Sequence, residues 1–226
     1  MPKLHEDWVK EGAISHSCML AADVFDYTGG TYKEEYASDI AFVGGYWPYK
    51  GKNLDRYLLR LCQYDRPYNV KIWGNQNWSC PQYCGWVDNS IVRDVLRSAK
   101  ICPNVSEPHA TDLGYDVNER FFKLLANKCF VVSDYVDSAD INLKLPIKFC
   151  GSPMEFEETI QHYLNNPEEK QDYIDSGYDL VMSEHTYFHR CRDIFTHLGL
   201  EDEGDRLMKS YDILRGEIER SGDNNE

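Results

Sequence analysis

The chain has 226 residues, 42% apolar and 27% charged, so it can bury a core without staples and lies far from the composition of a disordered segment. Its net charge is −14, from 38 acidic against 24 basic residues, which disfavours direct binding of DNA or RNA yet leaves room for a local basic pocket for a diphosphate. No apolar run approaches a membrane span and Met1–Asp7 lacks the apolar core of a secretory signal, so the eight cysteines are read as reduced thiols of a cytoplasmic protein that does not engage a membrane.

Residues 1–37 show no clear periodicity and read as an irregular lead-in. Ile40–Val43, ended by Gly44 and Gly45, suits a buried strand and its turn. Leu54, Tyr57, Leu58 and Leu61 recur at helical spacing, and Asn69–Trp73 is a second strand. The pattern from Val87 to Ala99 predicts a helix. Ile101–Val105 is a third, weaker strand, because Pro103 restricts pairing.

A polar loop is expected over Ser106–Tyr115, a helix over Val117–Asn127, and a strand over Phe130–Ser133. Short strands alternating with amphipathic helices predict an α/β fold, a Rossmann-like parallel sheet covered on both faces. From Ser152 the chain turns helical. Ser152, Pro153 and Glu155 have the order of a capping box, Asn166–Glu169 repeats that logic, and a third helix starts near His185. The predicted organisation is a lead-in over 1–37, the sheet domain over 38–200, and an acidic tail over 201–226. That tail carries a thin stripe of Leu207, Met208, Tyr211, Ile213 and Leu214, and frays after Ser221.

The segment from Val105 to Asp134 carries most of the chemistry. Ligands of parallel α/β sheets lie beyond the carboxyl ends of the strands, against helix N-termini, where free N–H groups favour a phosphate. Arg120, in the first turn of the helix that leaves the loop, can add a charge-assisted contact. A plainer reading stands beside this one. Asp116 and Glu119 have capping-box spacing, so both can simply terminate the helix.

The run Asn118-Glu119-Arg120-Phe121-Phe122-Lys123-Leu124-Leu125-Ala126-Asn127-Lys128, followed by an apolar strand and Ser133-Asp134-Tyr135, resembles the core motif of glycosyltransferase-like proteins of the CgeB (spore maturation) type. Ser38–Gly44, Tyr163–Glu169 and Glu184–Arg190 resemble three further motifs of that family, in the same order. The resemblance implies the donor-binding half of a two-domain GT-B glycosyltransferase. Such a half holds a nucleotide diphospho-sugar as substrate, with no metal or other cofactor, and faces an acceptor domain. His5–Trp8 and Leu20–Asp23 resemble the end of that first domain and its linker, so the acceptor is expected from a partner subunit or a second copy.

Carried over by position, Gly44 and Gly45 would form the turn beside the diphosphate, and Arg120 would stabilise the departing diphosphate as the catalytic residue. Lys50 or Lys52 would assist, unless these are solvated lysines beside a helix start. Asp116, Asn118, Glu119 and Lys123 complete the implied nucleotide-sugar site. Two positions depart from the pattern. Lys123 stands where the family has the Glu that holds the ribose, a task Glu119 can take over from the same helical face. Lys128 replaces a Gly, so the helix is expected to end differently.

Other signals point to structure. Cys80 and Cys84 have a spacing tolerable for zinc but lack companions, and His185 and His189 share a helix face without a third ligand. Packing and capping explain both histidines. Cys102, Cys129 and Cys150 are read as core thiols. Tyr46, Trp47 and Tyr49 either stack on a base or sugar or mark a docking surface. The function this implies is sugar transfer from a nucleotide-sugar. The alternative is a non-catalytic module that binds or senses a nucleotide or nucleotide-sugar, favoured by Lys123.

Overall fold

Five short strands, β1 (Ser38–Val43), β2 (Val70–Trp73), β3 (Ala99–Asn104), β4 (Val131–Asp134) and β5 (Lys148–Cys150), form one parallel sheet in the order β2-β1-β3-β4-β5. They are seen in a computed structural model that describes residues 2–114 and 116–223. The Rossmann-like α/β layout expected from the alternating pattern is the layout observed. The register runs Ile40↔Val70 to Val43↔Trp73 on one side of β1 and only Ser38↔Ala99 to Ile40↔Ile101 on the other.

Pro103 accounts for this asymmetry. Cys102 donates its N–H to Phe130 of the neighbouring chain segment at 2.9 Å, so the nitrogen of the next residue faces β1. Proline has no N–H to give there, and pairing with β1 stops. β3 is nonetheless central, with Pro103 paired to Val132 on its other side. A proline in a central strand is tolerated where the ladder ends, and this one lets the carboxyl ends of β1 and β3 part.

Ten α-helices are found among the described residues, and the sheet is covered on both faces. α1 (Pro2–Lys10) and α2 (Val24–Tyr27) precede the sheet. On one face α3 (Pro48–Leu61) and α7 (Pro153–Asn165) pack Leu54, Leu58, Phe156 and Ile160 against Ile40, Ile72 and Val132. On the other, α4 (Asn89–Arg97), α6 (Glu119–Ala126) and α8 (Gln171–Glu184) bring Val92, Leu96, Phe122, Leu125 and Val181 onto Cys102 and Val131. Each such side chain removed from water contributes about 1.5–3 kcal/mol, so two apolar layers fix the sheet between them. α5 (Pro108–Leu113) lies beyond β3, and α9 (Tyr187–His197) and α10 (Glu201–Asp223) close the chain as a packed pair.

Several expectations are corrected. The loop over Ser106–Tyr115 contains α5, because Pro108 opens a helical turn and Gly114, at φ 73°, closes it in the left-handed region; Tyr115 lies outside the described residues. The lead-in is not wholly irregular. It holds α1, α2 and a 3-10 turn, and Ala21, Ala22 and Val24 are buried. Asn166 does not repeat the Ser152 cap: its amide donates to the His162 carbonyl at 2.8 Å, and a 3-10 turn over Pro167–Lys170 precedes α8.

Ser152 does cap α7, accepting the Glu155 N–H at 3.2 Å, while Glu155 reaches the Gly151 N–H at 2.8 Å. In α10 Tyr211 is fully buried and Ile213 is exposed, so the stripe is narrower than expected; the helix continues past Ser221 to Asp223. Lys128 follows the end of α6 at φ 52°, where a glycine would be favoured, and the Cys129 N–H closes the turn on the Leu124 carbonyl at 3.0 Å. The helix therefore ends in the turn a glycine would make, not in a different one.

Candidate functional site

The sheet order reverses between β1 and β3, which is where crevices open in such folds. A cleft of about 300 Å³ lies there, floored by Phe42, Val43, Pro103 and Val105 and walled by α4 and α6. Its apolar depth comes from Val92, Leu96 and Leu124, and its polar rim from Lys50, Glu107, Asn118, Glu119, Arg120 and Lys123. Five residues named from the sequence thus meet in one place: Lys50, Asn118, Glu119, Arg120 and Lys123.

Arg120 is the deepest cation. Its guanidinium lies 4.4 Å above the Phe42 ring and donates to the Val43 carbonyl at 3.3 Å. Gly44 makes this possible, since a Cβ there would stand 2.6 Å from Nη2 of Arg120. Burial pulls its pKa down to about 10, with Glu107 and Asp134 acting against the shift, so it stays charged at neutral pH. Among the described residues no carboxylate pairs with it directly, which leaves a half-buried cation facing the cleft.

The other two cations are already paired. Lys50 Nζ meets Glu107 Oε1 at 2.5 Å. Lys123 Nζ meets Glu119 Oε2 at 2.5 Å and lies 4.5 Å from the Tyr27 ring, while Tyr187 donates to Glu119 Oε1 at 2.7 Å. Beneath the rim Asp134 is wholly buried. Both its oxygens accept from the Ser106 N–H at 3.0 Å, and burial still raises its pKa to about 6. It fixes the turn that presents Glu107.

The remaining predicted positions fall outside the cleft lining. Asp116 binds His109 Nε2 at 2.8 Å. The N-cap of α6 is Asn118, so Asp116 and Glu119 do not form the capping box that their spacing allows. Asn118 itself lines the cleft, and its Oδ1 is buried with no hydrogen-bond partner among the described residues. Gly45 lies beside Trp47 and Asn75, and Lys52 is exposed. Tyr46 packs on Trp78, and Tyr49 reaches toward Glu107 at 3.5 Å.

Among the described residues no group of three or more His, Cys, Asp or Glu is placed to hold an ion. His189 instead caps α9, and His185 meets Arg190 at 3.0 Å. Cys102, Cys129 and Cys150 are buried thiols. No helix among the described residues is long and apolar enough to cross a membrane.

Sequence reasoning passed over Glu107, Tyr27 and Tyr187. Glu107 has a signal, since it directly follows the end of a strand that carries ligands in such folds. Tyr187 lies within the Glu184–Arg190 motif, although nothing local ties it to α6, and Tyr27 has no signal, because it reaches α6 only through tertiary packing.

A parallel sheet in this order, with a cleft at its reversal, is a Rossmann-like doubly wound layout, in which ligands bind at the crevice. The chain belongs to the glycosyl transferase-like family, whose model matches residues 52–196, more than half of it. That match includes Glu107 and Arg120 and begins after Gly44 and Lys50. No curated protein matches the sequence.

Among solved structures, the T4 phage beta-glucosyltransferase in complex with its UDP-glucose substrate is 12% identical, with a TM-score of 0.55 over 80% of this chain and 51% of that one. The C-terminal domain of LpcC, a glycosyl transferase group 1 family protein from Francisella tularensis, is 12% identical, with a TM-score of 0.51 over 73% of this chain and 98% of that domain. The trehalose-6-phosphate synthase OtsA is 8% identical, with a TM-score of 0.54 over 80% and 50%. This chain therefore spans about half the length of the phage enzyme.

Proposed function

We propose that this chain is the donor lobe of a GT-B glycosyltransferase of the CgeB type. It holds a nucleotide diphospho-sugar in the β1/β3 cleft while a partner subunit or a second copy supplies the acceptor. One observation carries this reading: Arg120 is a half-buried cation, with no carboxylate partner among the described residues, held in the cleft beside Gly44 by the Val43 carbonyl. A cation so fixed is suited to a diphosphate, and to the charge that grows on it as the sugar departs. Support comes from the four motifs in family order, from the family match, and from a solved neighbour crystallised with UDP-glucose.

Glu119 sits on the rim with both carboxylate oxygens oriented, one by Tyr187 and one by Lys123. Its free lone pairs suit the hydroxyls of a ribose, although the Lys123 ion pair weakens that acceptor. This pair is also what favours the second reading, a module that binds or senses a nucleotide-sugar without turning it over.

The test is a thermal-shift titration with UDP, GDP, ADP and CMP and their sugar conjugates. A ligand that binds only the native state raises the melting temperature by mass action. One nucleotide family should give a clear shift that Arg120→Ala removes. No shift with any nucleotide on folded protein would overturn the reading. Sugar transfer or hydrolysis of the bound donor then separates the enzyme from the sensor.

A further inference from the structure

The cleft is lined by three cations, and Glu107 occupies one of them. Its Oε1 lies 2.5 Å from Lys50 Nζ and 3.5 Å from the Tyr49 hydroxyl, and its Oε2 lies 3.5 Å from His109 Nδ1. Glu107 also raises the pKa of Arg120 through space, so its charge is felt across the cleft. It is the N-cap residue of α5, yet its side chain makes no capping hydrogen bond. Its carboxylate is thus committed to Lys50 rather than to the helix, and both line the same cleft as Arg120.

We propose that Glu107 is a specificity-determining residue, a resident counter-anion on Lys50 that an incoming diphosphate must displace. A singly phosphorylated ligand needs only Arg120 and leaves the Glu107–Lys50 pair intact. A diphosphate must exchange one carboxylate–ammonium pair for a phosphate–ammonium pair, so its affinity is reduced by about the strength of the pair it replaces. A nucleoside diphosphate carries more charge on its terminal phosphate than the same group esterified to a sugar. Glu107 therefore opposes the free diphosphate more than the sugar conjugate and hastens its departure. This inference rests on the nucleotide-sugar reading for its biological use, but its charge logic can be tested without a nucleotide.

The experiment measures calorimetric binding of inorganic pyrophosphate and of orthophosphate to the full chain, with Glu107→Gln, Lys50→Gln and the double variant compared. Glu107→Gln should bind pyrophosphate about tenfold tighter and change orthophosphate affinity less than threefold. The gain should vanish in the double variant. Glu107→Ala is expected to give the same direction, so the outcome does not hang on one replacement.

Unchanged or weaker pyrophosphate binding by both Glu107 variants, or no binding by any of the proteins, overturns the proposal, and so does a gain that survives loss of Lys50. If pyrophosphate binds tighter to Glu107→Gln while no nucleoside diphosphate binds either protein, the counter-anion role stands and the donor-lobe reading falls.

Discussion

Gly44 and Arg120 are an interlocking pair, since the guanidinium fills the space a side chain at 44 would take. Gly44→Ala places a methyl group 2.6 Å from Nη2 of Arg120 and 2.9 Å from the Phe42 ring, so one of the two must move. We expect nucleotide affinity to fall about tenfold or more, with a stability cost of about 1–3 kcal/mol from overpacking. Calorimetry alongside a urea melt separates the two effects, and a loss of stability without a loss of affinity would refute the interlock.

Lys128 predicts the opposite sign. It holds a left-handed conformation at φ 52° with its ammonium 5.0 Å from the Tyr178 ring, a contact of modest value. Lys128→Gly relieves the backbone cost, about 1–2 kcal/mol, and gives up a ring contact of about 0.5–1 kcal/mol, so a net gain of roughly 0.5–1 kcal/mol is expected in urea melts. The role of Gly44 was legible in the sequence as a turn residue beside a strand. Lys128 was misleading there: a lysine carries no signal for the left-handed region, and only the packed end of α6 imposes it.

At the scale of elements, the start of α9 ties the two ends of the described chain together. Ala22 donates to the His185 carbonyl at 2.9 Å and accepts from the Tyr187 N–H at 3.0 Å, while Arg190 donates to the Met19 and Leu20 carbonyls at 3.2 and 3.4 Å. Beside this bridge His189 Nδ1 lies 2.7 Å from the Thr186 hydroxyl and accepts its N–H at 3.3 Å, completing a capping box. That requires a neutral ring. Burial, with Arg192 and Arg190 nearby, pushes the pKa of His189 from 6.5 to about 4.

Because the folded-state pKa lies below the unfolded one, the stability His189 contributes is present above pH 6.5 and is lost as pH falls toward 4. The loss is on the order of 3 kcal/mol. The stability difference between the wild type and His189→Gln should shrink by about that amount between pH 7 and pH 4 in urea melts. A constant difference would refute the link. The sequence showed these histidines on one helix face and favoured capping over metal binding, but the bridge partner at Ala22 lies too far along the chain for any local pattern to reveal it.

For the molecule as a whole, the alternation of short apolar runs and amphipathic stretches was enough to place four of the five strands and, α5 apart, the helices between them. The strand order was not readable, because the register of β1 against both β2 and β3 is set by side-chain packing across distant segments. Nor was the pairing of Lys50 with Glu107, which whole elements separate, whereas Lys123 and Glu119 stand one helical turn apart.

The lead-in gives a prediction at this scale. The side chains of Glu6–Ile14 are exposed, whereas Ala21, Ala22 and Val24 are buried against the body of the fold. Deletion through residue 18 should leave the melting temperature within a few degrees, while deletion through Asp23 should lower it steeply, because buried apolar contacts and two backbone hydrogen bonds are lost. Equal melting temperatures for the two deletions would show that the bridge at Ala22 contributes nothing.

Pro103 has one more consequence, which concerns time. The gap between β1 and β3 exists because an imide nitrogen cannot donate, so a ligand does not have to unzip a ladder to enter. Entry requires only side-chain rearrangements, which are fast compared with backbone opening. The association rate should therefore be governed by diffusion and by the charges at the mouth, and differences in affinity among ligands should appear as differences in how long each one stays.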